Sequence, residues 1–146
     1  MKLQHHFVIS AAVAGGFYGL TRSWPGALIC WLSGFLIDLD HVIDYVLVYR
    51  RLHPGHFFTV WHTGQIDRIY LIAHGWEWVV VLAGLTFASG CHPWLAGLTL
   101  GIGHHLVIDQ LSNNPRPFGY SFFWRLTHGC SLRRAFRTKE SEDRVQ

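Results

Sequence analysis

Residues 35–44 read Phe-Leu-Ile-Asp-Leu-Asp-His-Val-Ile-Asp, and the rest of the chain has to fold around this stretch. It places three carboxylates and an imidazole directly after an apolar run that begins at Trp24. Charged groups in apolar surroundings cost several kcal/mol unless something pairs with them. A divalent metal ion would satisfy all these oxygen and nitrogen donors together, whereas a plain helix end would leave the acids to solvent. We favour the metal because histidines and acids recur on three further apolar segments.

The composition indicates a membrane protein or an unusually apolar core. Half of the 146 residues are apolar and only 14% are charged, against roughly 25% in soluble domains. The length suits one domain, predicted over residues 1–137 and followed by a disordered polar tail over residues 138–146. The net charge is only +3, and nucleic acid is not an expected partner. The three cysteines lie far apart, which favours neither a zinc knuckle nor a disulfide scaffold.

Four apolar segments each approach the roughly 20 residues that a membrane-spanning helix needs. They cover residues 5–20, 24–49, 69–88 and 94–111. The first and the fourth carry glycine pairs at the spacing that lets helices pack closely, Gly15 with Gly19 and Gly97 with Gly101.

The remaining stretches are predicted to lie outside the bilayer. Residues 50–68 read as a polar loop that carries histidines. Residues 120–137 mix aromatic side chains with arginines, which predicts an amphipathic helix at the membrane surface whose arginines, Arg125 among them, face lipid. We therefore predict an all-α fold, an integral-membrane bundle of about four long helices plus this interfacial C-terminal helix.

The distribution of basic residues predicts the orientation. With four spans, the N-terminus, residues 50–68 and the C-terminal tail share one side of the membrane. Every Lys and Arg except Arg22 falls on that side, which the positive-inside rule makes cytoplasmic. We expect a multi-pass protein of the bacterial inner membrane with both termini in the cytoplasm.

This topology brings ionisable residues of all four segments to the cytoplasmic end of the bundle. Three pairs have helical spacing, so that each pair shares one helix face: Asp38 with His41, His74 with Glu77, and His105 with Asp109. Metal sites in the cores of helical bundles are built from histidines and carboxylates on several helices. The candidate ligands are His6, with His5 as its alternative, Asp38, Asp40, His41, His74, Glu77, His105 and Asp109. So many candidates suit two ions, with one or two residues left for orienting or base roles.

The same motifs resemble those of the bacterial membrane-bound metal-dependent hydrolases. That family carries an N-terminal His, a Pro-Asp-x-Asp-His motif, a Thr-His motif and Gly-x-x-x-His-x-x-x-Asp. The corresponding positions here are His6, residues 37–41, His74 and residues 101–109. Ile37 replaces the usual Pro, and a family His upstream of His74 is missing, so that Glu77 is expected to supply a ligand instead. A remoter likeness, in the order and type of ligands, is to the all-helical zinc-dependent phospholipase C group.

The resemblance implies a membrane-embedded hydrolase that cleaves a phosphoester of a lipid or other amphiphilic substrate with a metal-activated water. Two divalent ions are expected, zinc first, with manganese or iron as alternatives. The expected ligands are His6, Asp38, His41, His74, His105 and Asp109. Asp40 would bridge the two ions, and Glu77 would be a ligand or the general base. Finally, His56 or His62 would protonate the leaving group, and a phosphate would be held by Arg50, Arg51 or Arg68.

Two other classes of protein fit part of the pattern. A membrane protein that binds or transports metal or haem without hydrolysis would also place histidines on facing helices, although haem ligation needs no acids beside them. A soluble all-helical protein with the same metal site is the other alternative.

Overall fold

The structure, a computed structural model, describes residues 3–63 and 66–137. The predicted disordered tail over residues 138–146 lies outside this range. The described part is helical, with two isolated β-bridges and no sheet, which confirms the all-α prediction. The helices are α1 (Leu3–Thr21), α2 (Trp24–Leu36), α3 (Asp40–Tyr49), α4 (Pro54–Thr63), α5 (Trp76–Ala88), α6 (Pro93–Ser112), α7 (Phe122–Thr127) and α8 (Leu132–Ala135). A single 3-10 turn, Ile37–Leu39, joins α2 to α3.

Helices α2 and α6 pack against each other almost backbone to backbone. A Cβ atom added to Gly97 would lie 3.2 Å from the Cα of Gly26, and one added to Gly101 would lie 3.1 Å from the Cα of Cys30. The close approach predicted from the Gly97 and Gly101 spacing is therefore confirmed. The same prediction for Gly15 and Gly19 is wrong, because both face open space in the described part of the chain.

The third apolar segment begins as an irregular strip and turns helical only at Trp76. Our prediction of a continuous segment over residues 69–88 is wrong for its first turns. Carboxylates from α3 accept the backbone N–H groups of Tyr70, Leu71 and Ala73 and hold this strip in an irregular conformation. Leu71 has a φ of 45°, a left-handed conformation that interrupts any helix.

Two further stretches differ from their predictions. The predicted loop over residues 50–68 contains α4, whose Val60 packs into a small core with Ile66, Ile69 and Leu71. The predicted amphipathic helix over residues 120–137 is instead the two short helices α7 and α8. Arg125, predicted to face lipid, is only 1% exposed.

One stretch is long and apolar enough to cross a membrane, Trp24–Tyr49, with 28% of its most apolar window buried. Helix α5 is apolar but shorter, and within the described residues no other helix passes the same test of length and composition. The core helix of a soluble protein can pass that test too. The arrangement of four spans therefore stays a prediction.

Candidate metal centre

Helices α1 and α6 contribute three buried polar side chains that meet at one point. His6 Nε2 lies 3.2 Å from Asp109 Oδ1, and His105 Nε2 lies 3.6 Å from Asp109 Oδ2. The rings of His6 and His105 stack with their centroids 4.1 Å apart. His105 and Asp109 share one face of α6 because they are four residues apart. Polar groups buried this closely need a shared partner or mutual bonds.

Asp38, in the 3-10 turn, links this corner to the rest of the site. Its Oδ1 atom lies 3.5 Å from Nε2 of His105, 3.8 Å from Nε2 of His74 and 3.7 Å from Nε2 of His41. One carboxylate oxygen is thus close to three imidazole nitrogens from three different parts of the chain.

The ligand atoms fall into two groups that share Asp38. The first is His6, Asp38, His105 and Asp109, and the second is Asp38, His41 and His74. Within each group the candidate ligand atoms lie within 4.8 Å of one another. The structure therefore brings together six of the eight candidate ligands, in a cluster that could hold a metal ion.

Hydrogen bonds on the far sides of two imidazoles determine which nitrogen faces the cluster. His105 Nδ1 lies 2.8 Å from the carbonyl oxygen of Gly34, which can only accept, so Nδ1 carries the hydrogen. His74 Nδ1 lies 3.2 Å from a carboxylate oxygen of Asp40 and donates in the same way. A neutral ring protonated at Nδ1 has its lone pair on Nε2. The two Nε2 atoms are 3.2 Å apart, so two lone pairs would face each other beside Asp38 if both rings were neutral.

The donor set fits a divalent cation. A proton on one ring or a cation between the rings would remove the repulsion between these lone pairs, and a cation would serve the carboxylates as well. Each group also contains a buried imidazole nitrogen without a hydrogen-bond partner among the described residues, Nδ1 of His6 and of His41. Metal-bound histidines characteristically donate their second N–H to a carboxylate or a backbone carbonyl, as His74 and His105 do.

Asp40 lies behind His74 and belongs to neither group. Its Oδ2 accepts the N–H of Ala73 at 2.7 Å as well as the imidazole N–H of His74. Residues two apart do not share a helix face, so Asp38 and Asp40 point in different directions. The contacts of Asp40 favour an orienting role over the predicted bridge.

Glu77 lies outside both groups and caps a helix. Its carboxylate accepts hydrogen bonds from the hydroxyl of Ser121 and from the N–H groups of Phe122 and Phe123, at the start of α7. A carboxylate suits this place because the first N–H groups of a helix have no partner within it. These contacts give no support to the ligand and base roles predicted for Glu77.

We expect Glu77→Ala to leave the metal content of the purified protein unchanged. It should lower the free energy of unfolding by about 0.5–2 kcal/mol, the usual effect of losing a helix cap. Elemental analysis and thermal unfolding of the same sample check both parts. Loss of metal at wild-type stability would restore Glu77 as a ligand.

Both predicted proton donors lie on α4, and His56 belongs to neither group. His56 Nε2 accepts from a guanidinium nitrogen of Arg51 at 2.8 Å, and its Nδ1 lies 2.9 Å from the hydroxyl of Tyr45. Because a guanidinium can only donate, Nε2 of His56 carries no proton in this arrangement. Desolvation and the charge of Arg51 also lower the pKa of His56. The side chain of His62 is not among those described.

The cluster opens to solvent on the side of His41. The side chains of His41 and Asp38 are 27% and 16% exposed, whereas the other four ligands are almost fully buried. Trp61 on α4 lies edge-on to the ring of His41, with 4.5 Å between the centroids.

Two buried residues of the C-terminal part were missed by reasoning from the sequence. The hydroxyl of Tyr120 donates to Asp109 Oδ2 at 3.2 Å, and burial together with the charge of Asp109 raises the pKa of Tyr120, which keeps that proton in place. Arg125 contacts the strip that carries His74. Both fall in the stretch read as an amphipathic helix, and no spacing in it distinguishes them from their neighbours.

Comparison of the chain with protein-family models, with curated proteins and with solved structures gave no match. The likeness to membrane-bound hydrolases thus rests on the motif residues quoted above. What the structure adds is their position, because residues up to about a hundred positions apart meet in one cluster.

Proposed function

We propose that the chain is a membrane-embedded metal-dependent hydrolase that cleaves a phosphoester of a lipid or other amphiphile. The observation that carries this proposal is the convergence of Nε2 of His74 and Nε2 of His105 on the carboxylate of Asp38. Two imidazole nitrogens and a carboxylate oxygen at one point need a shared cation or proton, and a divalent cation would bind all three atoms together.

The arrangement of ligands favours two ions. Asp38 is shared between the two groups, as expected of a carboxylate that bridges a pair of cations. Imidazole and carboxylate ligands suit zinc best, and manganese or iron are the alternatives. A pair of divalent ions supplies an activated water and stabilises the charge that develops on a phosphoryl oxygen.

The residues of the chain itself hold and orient this site. Gly34 and Asp40 fix the tautomers of His105 and His74, and Tyr120 holds Asp109. The opening beside His41 admits the substrate, while the exposed arginines Arg50, Arg51 and Arg68 supply positive charge for a phosphate.

The surface of α5 supports a place in a membrane and so a lipid substrate. The bacterial inner membrane, with both termini cytoplasmic, is proposed from the distribution of the basic residues. Helix α5 has no buried residue although nearly all of its residues are apolar. Val80 is 71% exposed and Phe87 is 84% exposed. Exposure of this apolar surface to water would be unfavourable, whereas its contact with lipid hydrocarbon would be favourable.

A haem held between the two central histidines fits the geometry less well. Axial imidazoles bind on opposite faces of the iron, with the porphyrin between them. His74 Nε2 and His105 Nε2 are only 3.2 Å apart, which leaves no room for that plane.

The proposal is tested with protein purified in detergent and assayed on phospholipids and on water-soluble phosphodiesters. We expect hydrolysis that a chelator abolishes and added zinc restores, with the lipid cleaved faster than a soluble ester of the same bond type. The variant Asp67→Asn, which alters an exposed carboxylate outside the cluster, should behave as wild type. If no substrate of the panel is cleaved in a chelator-sensitive way, the hydrolytic proposal is wrong.

A further inference from the structure

Arg125 is a fully buried cation, and in the described part of the chain all four of its hydrogen bonds go to backbone carbonyls. Its Nε donates to Tyr70 at 3.1 Å and its Nη1 to Gly119 at 2.7 Å. Its Nη2 donates to Leu71 at 2.7 Å and to His74 at 2.9 Å. Burial of a guanidinium without a paired carboxylate is expensive, so its place needs an explanation. Burial lowers the pKa of Arg125 and the carboxylates of Glu77, Asp44 and Asp40 oppose that shift, so the side chain stays charged.

The opposite side of the same strip is held by carboxylates from α3. Asp44 accepts the N–H groups of Tyr70 at 3.0 Å and Leu71 at 3.1 Å, and Asp40 accepts that of Ala73 at 2.7 Å. Asp40 and Asp44 share one face of α3 because they are four residues apart. Residues 70–74 are thus held by acids at their N–H groups and by Arg125 at their carbonyl groups.

This double attachment explains how the strip keeps an unfavourable conformation. Leu71 has a φ of 45°, which costs a residue with a Cβ about 1–2 kcal/mol. Such conformations persist where the surroundings over-determine them, and they concentrate at functional sites. His74 ends the strip, with its carbonyl on Arg125 and its Nδ1 on Asp40.

We propose that Arg125 is a positioning residue for one half of the metal site, an inference that rests on the proposed binding of two ions. Arg125 fixes the backbone of His74 and so completes the group of Asp38, His41 and His74. The other group, on α1, α6 and the 3-10 turn, receives no hydrogen bond from Arg125 in the described structure.

The test is the number and affinity of zinc ions bound by detergent-purified, metal-stripped protein. In Arg125→Gln one of the two ions should bind about 10- to 100-fold more weakly, the range found when a residue that orients a ligand is lost. The affinity for the other ion should be unchanged, and His74→Ala should lose the same single ion. Arg134→Gln, which removes an exposed arginine on α8, is the matched control and should bind both ions as wild type.

Three results are decisive. If Arg125→Gln weakens the binding of both ions by equal factors, the positioning role is wrong, because a general loss of structure affects both groups alike. The role is also wrong if the binding of neither ion is weakened. If Arg125→Gln does not fold, Arg125→Lys takes its place, since it keeps the charge but not the fork geometry, and it should weaken the same one ion. Failure of the wild-type protein to bind any zinc would instead count against the proposed function.

Discussion

Replacing Asp38 with Asn should remove both metal ions at once. Asp38 is the residue that both groups share, and its Oδ1 lies 3.5 Å from His105 Nε2 and 3.7 Å from His41 Nε2. Asparagine keeps the size of the side chain but removes its charge and turns one oxygen into a donor. We expect the affinity for each ion to fall by more than about 100-fold, beyond the effect of losing an orienting residue. Hydrolysis should fall with it.

Substitutions that affect only one of the two ligand groups test this prediction further. His41→Ala should lose one ion, and His6→Ala should lose the other, because each of these residues belongs to one group alone. Asp67→Asn is the matched control, since its carboxylate is exposed and lies outside both groups. If Asp38→Asn bound as much metal as this control, Asp38 would not be the shared ligand.

A valine at Gly97 should produce the largest loss of stability and should disable a site that lies about two helical turns away. The added Cβ would lie 2.9 Å from the carbonyl carbon and 3.2 Å from the Cα of Gly26, and neither backbone atom can move aside as a side chain can. Overpacking of this kind costs typically about 1–3 kcal/mol, and more where backbone meets backbone. Separation of α2 from α6 would also separate Asp38 from His105 and Asp109, so metal should be lost together with stability.

The control for this prediction is Gly84→Val on α5. It introduces the same side chain into a helix, but a Cβ at Gly84 meets nothing within 4 Å. Unfolding in detergent and metal content, measured on both variants, separate packing from helix propensity. Equal melting temperatures and equal metal content in the two variants would show that the approach of α2 to α6 does not hold the site together.

The long helices could be predicted from the sequence because their signals are local. Residues 24–49 are apolar almost throughout. The spacing of Gly97 and Gly101 predicts the close approach of another helix. The spacing of Asp38 with His41 and of His105 with Asp109 likewise places each pair on one helix face. Those pairs are what the structure brings together.

The irregular parts could not be predicted because distant groups determine them. Residues 70–74 follow no local pattern, and their backbone is held by Asp40, Asp44 and Arg125, which lie roughly 30 positions before them and 50 after. Arg125 resembles every other arginine of its stretch until its four carbonyl partners are known. The roles of Asp38 and Asp40 likewise depend on distant contacts, with His105 for Asp38 and with Ala73 and His74 for Asp40.

The most direct test of the metal centre is the metal content of the wild-type chain, measured by elemental analysis alongside that of Asp38→Asn. X-ray absorption at the edge of the metal found then gives the type and distance of its ligands. Two divalent ions per chain, with nitrogen and oxygen ligands at about 2.0–2.2 Å, are the result we predict. Their loss in Asp38→Asn should be nearly complete. A wild-type chain without metal above background, or with metal that Asp38→Asn retains in full, would contradict the claim that this cluster exists to hold cations.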